Sequence, residues 1–136
     1  MKYIKTFEGQ LSERQELLSE AEDYLKDIFL ELEDNGFRIG VYKNNIIGVE
    51  KITVSIQKKV LTTDRITYNT FKISDIEDAL LFANSYITSI GGLMYNSYAR
   101  VETWTGHRYE NIDRNVLPTL LESDHNLTTI QISFSL

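Results

Sequence analysis

Residues 12–36 read SERQELLSEAEDYLKDIFLELEDNG, and this stretch decides the fold. Leu17, Leu18, Ala21, Tyr24, Leu25, Ile28, Phe29 and Leu32 recur at helical intervals. At about 100° per residue they gather on an arc of roughly 140°, the buried face of an amphipathic helix. Ser12 stands as N-cap with Gln15 three residues later, as in a capping box. Asn35-Gly36 ends the run, with Gly36 suited to the left-handed C-cap position. The helix is about 36 Å long at ~1.5 Å per residue. A domain of this size has a radius of gyration near ~14 Å, so the helix crosses the molecule and needs a broad apolar surface beneath it.

The rest of the chain supplies that surface as strands. Phe37, Ile39 and Val41 alternate with Arg38, Gly40 and Tyr42, and Asn44-Asn45 breaks the run. Ile52, Val54 and Ile56 alternate with Lys51, Thr53, Ser55 and Gln57, the period of a half-buried strand. Thr62-Thr63-Asp64 predicts a turn. Residues 65–73 predict a third strand whose apolar phase switches between Tyr68 and Phe71, as a bulge would require. A second helix opens at a Ser74–Glu77 capping box and closes at Gly91-Gly92. A strand over 93–104 follows, then an irregular stretch over 105–126 with a short helix near Val116–Glu122. Ile130, Ile132, Phe134 and Leu136 alternate with Thr129, Gln131, Ser133 and Ser135 in a closing strand.

These elements predict one α+β domain over residues 1–136. Its antiparallel sheet has about five strands, with two helices packed on one face and a polar opposite face. Residues 1–10 fit either a loose leader or, at 2–7, a first strand. With that strand the plan resembles a ferredoxin-like β-α-β-β-α-β fold with additions, a topology that carries no function.

The same helix carries the chain's charge. The net charge is −6, yet residues 12–35 alone hold nine acids and two bases. Glu13, Glu16, Glu20, Asp23, Asp27, Glu31 and Asp34 follow one another at spacings of three and four. They form a ridge about 31 Å long and roughly 80° wide. Like charges at these spacings cost about 0.2–0.5 kcal/mol per pair, and the last turn already carries the negative end of the helix dipole. A ridge of this kind is either a solvated edge, paired in part with Lys5, Lys43 or Lys58, or a docking strip for a basic protein. Its density, near one charge per ~4.5 Å, falls well short of a duplex at one per ~1.7 Å. Its carboxylates diverge, where a divalent cation needs oxygens converging on one point.

Other classes find little support. No Lys/Arg cluster exceeds Lys58-Lys59, which argues against a nucleic acid interface. Cysteine is absent, so thiolate and disulfide chemistry are excluded and a reducing, cytoplasmic setting is expected. No apolar run approaches the ~18 residues that span a membrane. The glycines follow no phosphate-loop spacing, no zinc spacing exists, and no cofactor is expected.

One segment gathers reactive types: Arg100, Glu102, Trp104, His107, Arg108, Tyr109, Glu110, Asp113 and Arg114. His107 with Arg108 and Glu110 could perform acid–base work on a phosphate ester, with His125 as the only other imidazole. The alternative is a surface segment of mixed ion pairs with Trp104 packed at the sheet edge. Leu30, Leu81 and Phe82 fall outside the apolar arcs. Residues 112–121 are expected to pack over Leu81 and Phe82; otherwise these side chains mark an oligomer contact, a homodimer included.

The opening nine residues, Met1-Lys2-Tyr3-Ile4-Lys5-Thr6-Phe7-Glu8-Gly9, resemble the start of small accessory proteins of tailed bacteriophages. In some of those a leader is cut after a glutamate, and Glu8-Gly9 would be the matching bond. Thr6 departs from the Ile or Leu found two places before that glutamate. The resemblance implies a protein that binds a host or virion protein. Three functions therefore stand at this point: a non-enzymatic interaction domain using the ridge, a small phosphodiesterase or nuclease using His107, and a structural virion or assembly component.

Overall fold

Ile52, Val54 and Ile56 point to one side of their strand and Lys51, Thr53 and Ser55 to the other, and this alternation sets the centre of the sheet. A computed structural model describes residues 2–46, 49–62, 65–94, 97–112 and 117–136, with side chains described within 16–44, 50–58, 70–94, 97–112, 117–120 and 122–136. In chain order the elements are α1 (Lys2–Asp34), β1 (Phe37–Ile46), β2 (Val49–Thr62), β3 (Arg65–Asn69), β4 (Phe71–Lys72), a 3-10 turn (Ile73–Asp75) and α2 (Glu77–Ser89). Then come β5 (Leu93–Met94), β6 (Ser97–Thr103), β7 (Gly106–Ile112), α3 (Leu117–Leu121) and β8 (Asn126–Ser135). None of the described helices is long and apolar enough to cross a membrane.

The sheet is antiparallel throughout its described pairings and runs β1-β2-β8-β6-β7, with the short β3, β4 and β5 attached to β2 and β8. The α+β class and the five-strand path agree with expectation, but β7 stands in the path where the strand over 65–73 was expected, and that stretch forms the attached β3 and β4. One core joins it to the helices. Leu18, Ala21, Leu25, Phe29 and Leu32 of α1, and Leu80, Ala83 and Ile87 of α2, share that core with Ile52, Val54, Ile56, Ile130, Ile132 and Phe134. Both helices thus lie on one face, each presenting its apolar stripe to the sheet.

Several boundaries differ from the sequence expectation. Helix α1 begins at Lys2, so residues 2–7 are helical where a strand was the alternative, and a ferredoxin-like plan lacks its first strand. Tyr3, Ile4, Phe7 and Leu11 carry helical spacing, and that periodicity extends the helix past Ser12, which is no cap. At 33 residues the helix is about 50 Å long. Strand β1 runs through Asn44-Asn45, which pair with Lys51 and Glu50. The expected turn at Thr62-Thr63-Asp64 lies in part outside the described residues, at 63–64.

The phase switch near Tyr68 is a change of partner. Residues 65–69 pair with β2 and residues 71–72 with β8, the chain stepping between them at Thr70. Helix α2 starts without the Ser74 cap. A 3-10 turn precedes it, in which the Asp75 carboxylate accepts the Lys72 backbone N–H at 3.1 Å. Its end is a Schellman motif. The Gly92 N–H donates to Ile87 O at 2.8 Å and the Gly91 N–H to Thr88 O at 3.1 Å, with Gly91 at φ 87°. A Cβ on Gly92 would stand 2.6 Å from Ile87 Cγ2 and 2.9 Å from Ser135 O, so the helix closes directly against β8.

The stretch 105–126 is not irregular throughout. Residues 106–112 form edge strand β7, paired with β6 around a Trp104-Thr105 turn. Its side chains are exposed from Gly106 to Tyr109, so no buried face wrote an alternation into its sequence. Helix α3 falls where the short helix was expected and buries Leu117 and Leu120, but it leaves Leu81 and Phe82 exposed.

Candidate functional site

The ridge is built by the geometry that packs α1. Burying Leu18, Leu25 and Leu32 turns the opposite helical face outward. Glu16, Glu20, Asp23, Asp27, Glu31 and Asp34 are all exposed there; the Glu13 side chain lies outside the described set. Among the described residues no ion pair falls on the ridge. The α1 cation Lys26 pairs with Glu22, off the ridge, at 3.0 Å. Lys43 donates to Ser19 Oγ at 3.3 Å, and the Lys58 ammonium sits 5.7 Å from the Phe37 ring centroid. The Lys5 side chain lies outside the described set.

An aromatic patch borders this ridge. Helices α1 and α2 run antiparallel: Glu31 and Leu32 share a depression with Ile76 and Asp78, while two turns back along α1 Tyr24 stacks on Tyr86, further along α2, with ring centroids 4.1 Å apart. Phe82 precedes Tyr86 by one turn on the same side of α2. Phe82 is 69% exposed and Tyr24 50%. On the ridge's other flank, Leu30 is 53% exposed. Burial raises the Tyr86 pKa above the ordinary 10.0, and the Glu20 charge and Tyr24 raise it further. The α2 N-terminus offers the ridge little relief, because its positive end already meets Glu77 and Asp78.

Strand geometry divides the His107, Arg108 and Glu110 set. Successive side chains on β7 point to opposite faces. His107 joins Arg100 on the outer face, its Nδ1 lying 3.4 Å from Arg100 Nη2. Arg108 and Glu110 pair on the helix-side face, Nη2 to Oε1 at 2.7 Å and Nε to Oε1 at 3.2 Å. The three therefore do not converge. His125 is exposed ahead of β8 and forms no hydrogen bond with His107. Trp104 is fully exposed at the hairpin tip, contrary to the expected packing at the sheet edge. Asp113 and Arg114 lie outside the described residues. No described group of three His, Cys, Asp or Glu comes together to hold a metal ion.

The outer sheet face is polar, as expected, but its centre is withdrawn from water. Thr53 and Ser133 are buried, with their hydroxyl oxygens 3.0 Å apart, and Asn44 Nδ2 donates to Thr53 Oγ1 at 3.4 Å. Beside them lies a cavity of about 220 Å3 lined by Ser55, Gln57, Tyr98, Arg100, Tyr109, Thr129 and Gln131. Strand register assembles it: Ser55 faces Gln131, Gln131 faces Tyr98, and Arg100 lies between Thr129 and Tyr109.

Its side chains hold one another in place. Gln57 Nε2 donates to Thr129 Oγ1 at 3.1 Å and the Tyr98 hydroxyl to Gln131 Oε1 at 3.1 Å. The Tyr98 and Tyr109 rings meet edge to face at 5.5 Å, and the Arg100 guanidinium lies 5.9 Å from the Tyr109 centroid. A bulge interrupts the β6–β8 ladder here: Arg100 faces Thr129 but Val101 faces Leu127. The extra residue, Thr128, donates its hydroxyl to Arg100 O at 3.3 Å. Bulges of this kind re-aim a side chain. The Arg100 Nε is buried with no hydrogen-bond partner. Leaving such a donor unmade costs about 1–3 kcal/mol, more when the group is charged. Sequence reading singled out Arg100 and the polar face separately; only the long-range pairing of β6 with β8 joins them.

No family model, curated protein or solved structure matches the chain.

Proposed function

We propose that this chain is a non-enzymatic interaction domain that docks a basic protein on the outer face of α1. The observation that carries the reading is the pairing of an un-neutralised acidic ridge with exposed aromatic side chains along its border. Charge alone is an ordinary solvated edge, and lone apolar residues are ordinary too. Together they have the anatomy of an interface, in which aromatic anchors supply contact area and charged groups supply orientation and association rate. Tyr24, Phe82 and Tyr86 are the anchors; Glu20, Asp23 and Asp27 are the charges. The resemblance of the first nine residues to small phage proteins supports a host or virion protein as the partner, met in the host cytoplasm.

The test is affinity capture from host lysate at low and high salt, followed by mass spectrometry. The wild-type chain captures a basic protein, and high salt weakens the capture because exposed charges are screened. Glu20→Lys, Asp23→Lys and Asp27→Lys together abolish it without loss of helicity. Unchanged capture by that variant removes the ridge from the interface.

The exposure of Phe82 and Leu81 also favours a second reading, self-association as a virion or assembly component. Light scattering separates the two: a strict monomer at high concentration excludes self-assembly.

A further inference from the structure

We propose that the Arg100 cavity on the outer sheet face binds the carboxylate group of a small organic acid. This face lies across the sheet from α1, so the proposal stands or falls independently of the ridge.

Arg100 is the one charged side chain lining the cavity; Ser55, Gln57, Tyr98, Tyr109, Thr129 and Gln131 are neutral. No described carboxylate forms an ion pair with it. A guanidinium donates through every N–H and stays protonated in proteins. His107 Nδ1, 3.4 Å from Nη2, therefore accepts in this arrangement and stands outside the cavity lining. The cavity thus presents a single fixed positive charge, which a monoanion balances.

Geometry narrows the ligand further. The Arg100 Nε is withdrawn from solvent and unpartnered. Nε is closed to a ligand as it is to water, but the two terminal nitrogens of the same guanidinium also carry parallel N–H bonds, a fork that a planar carboxylate accepts with both oxygens. The Gln57 amide is engaged with Thr129, and the Tyr98 hydroxyl with Gln131 Oε1. The Gln131 amide N–H groups and the Ser55 hydroxyl remain as further donors at the cavity wall. The volume, about 220 Å3, falls below the ~300–1,000 Å3 of pockets that take drug-sized molecules. The occupant is accordingly a small acid with a compact body resting against the tyrosine rings.

Amide NMR titration of the full chain with benzoate, and separately with phenyl phosphate, tests this. Benzoate is expected to give saturable shifts at Thr129, Gln131 and the Arg100 Nε–H. Arg100→Lys keeps the charge but loses the fork, and weakens benzoate at least about tenfold. Arg100→Met abolishes binding. Gln57→Glu, which sets a carboxylate at the cavity wall, weakens benzoate comparably and serves if the Arg100 variants fail to fold. No saturable shift with benzoate, or unchanged affinity in the folded variants, overturns the site. Tighter binding of phenyl phosphate than of benzoate overturns the assignment to a carboxylate.

Discussion

The outer face of α1 and the outer face of the sheet are both polar, but they hold their polar groups in opposite ways. On α1 the acids stand in water, apart from one another's counter-ions, and contribute nothing favourable to folding. On the sheet, Thr53 and Ser133 are buried and bonded to each other, and Gln57, Tyr98, Thr129 and Gln131 bond across strands. A sheet brings side chains of distant residues side by side at close spacing. A helix edge fans its side chains outward. The same polar character therefore becomes structure on one face and an open surface on the other.

The sharpest way to break this contrast is on the sheet. Ser133→Ala removes one partner of a buried pair and should cost about 1–3 kcal/mol in chemical denaturation, since the Thr53 hydroxyl loses its best partner. Thr53→Val with Ser133→Ala should recover most of that loss, because neither polar group remains. A double-variant cost equal to the sum of the Thr53→Val and Ser133→Ala single costs would show that the pair is not coupled.

A smaller effect of opposite sign is expected on α1. Reversing Glu20, Asp23 and Asp27 to lysine replaces some repulsive pairs by attractive ones, at about 0.2–0.5 kcal/mol each. Stability should hold or rise by about 1 kcal/mol, and the gain should fade in high salt. A loss of stability would mean that the ridge is paired within the fold.

The smallest effect is alkaline. Because the folded-state pKa of Tyr86 is raised by burial, Glu20 and Tyr24, the folded chain holds that proton more tightly than the unfolded one. The stability so contributed is fully present below pH 10 and is lost as pH rises through the folded pKa. Tyr86→Phe should flatten the fall in stability above pH 10, and Glu20→Gln should reduce it in part. Identical alkaline profiles would place Glu20 away from that hydroxyl.

Much of this architecture was legible before any coordinates. The apolar arcs of α1 and α2, the Gly36 and Gly91 caps and the alternation in β2 and β8 each write a buried face into local sequence. What stayed hidden lacks such a face. Strand β7, with His107, Arg108 and Tyr109 exposed in succession, carries no period at all. The start of α1 was misplaced because Ser12 and Gln15 imitate a cap. The ridge was visible because a helix edge is local. The Arg100 cavity was not, because Ser55, Arg100 and Gln131 meet only through strand register.

The account's central claim, that the α1 ridge is a docking surface, is tested most directly by zero-length carbodiimide cross-linking of the captured complex. This joins carboxylates to lysine amines in contact. The account predicts links from Glu20, Asp23 or Asp27 to lysines of a basic partner. Cross-links from a captured partner that avoid α1 and fall on the sheet side, at Glu102 for instance, would contradict it.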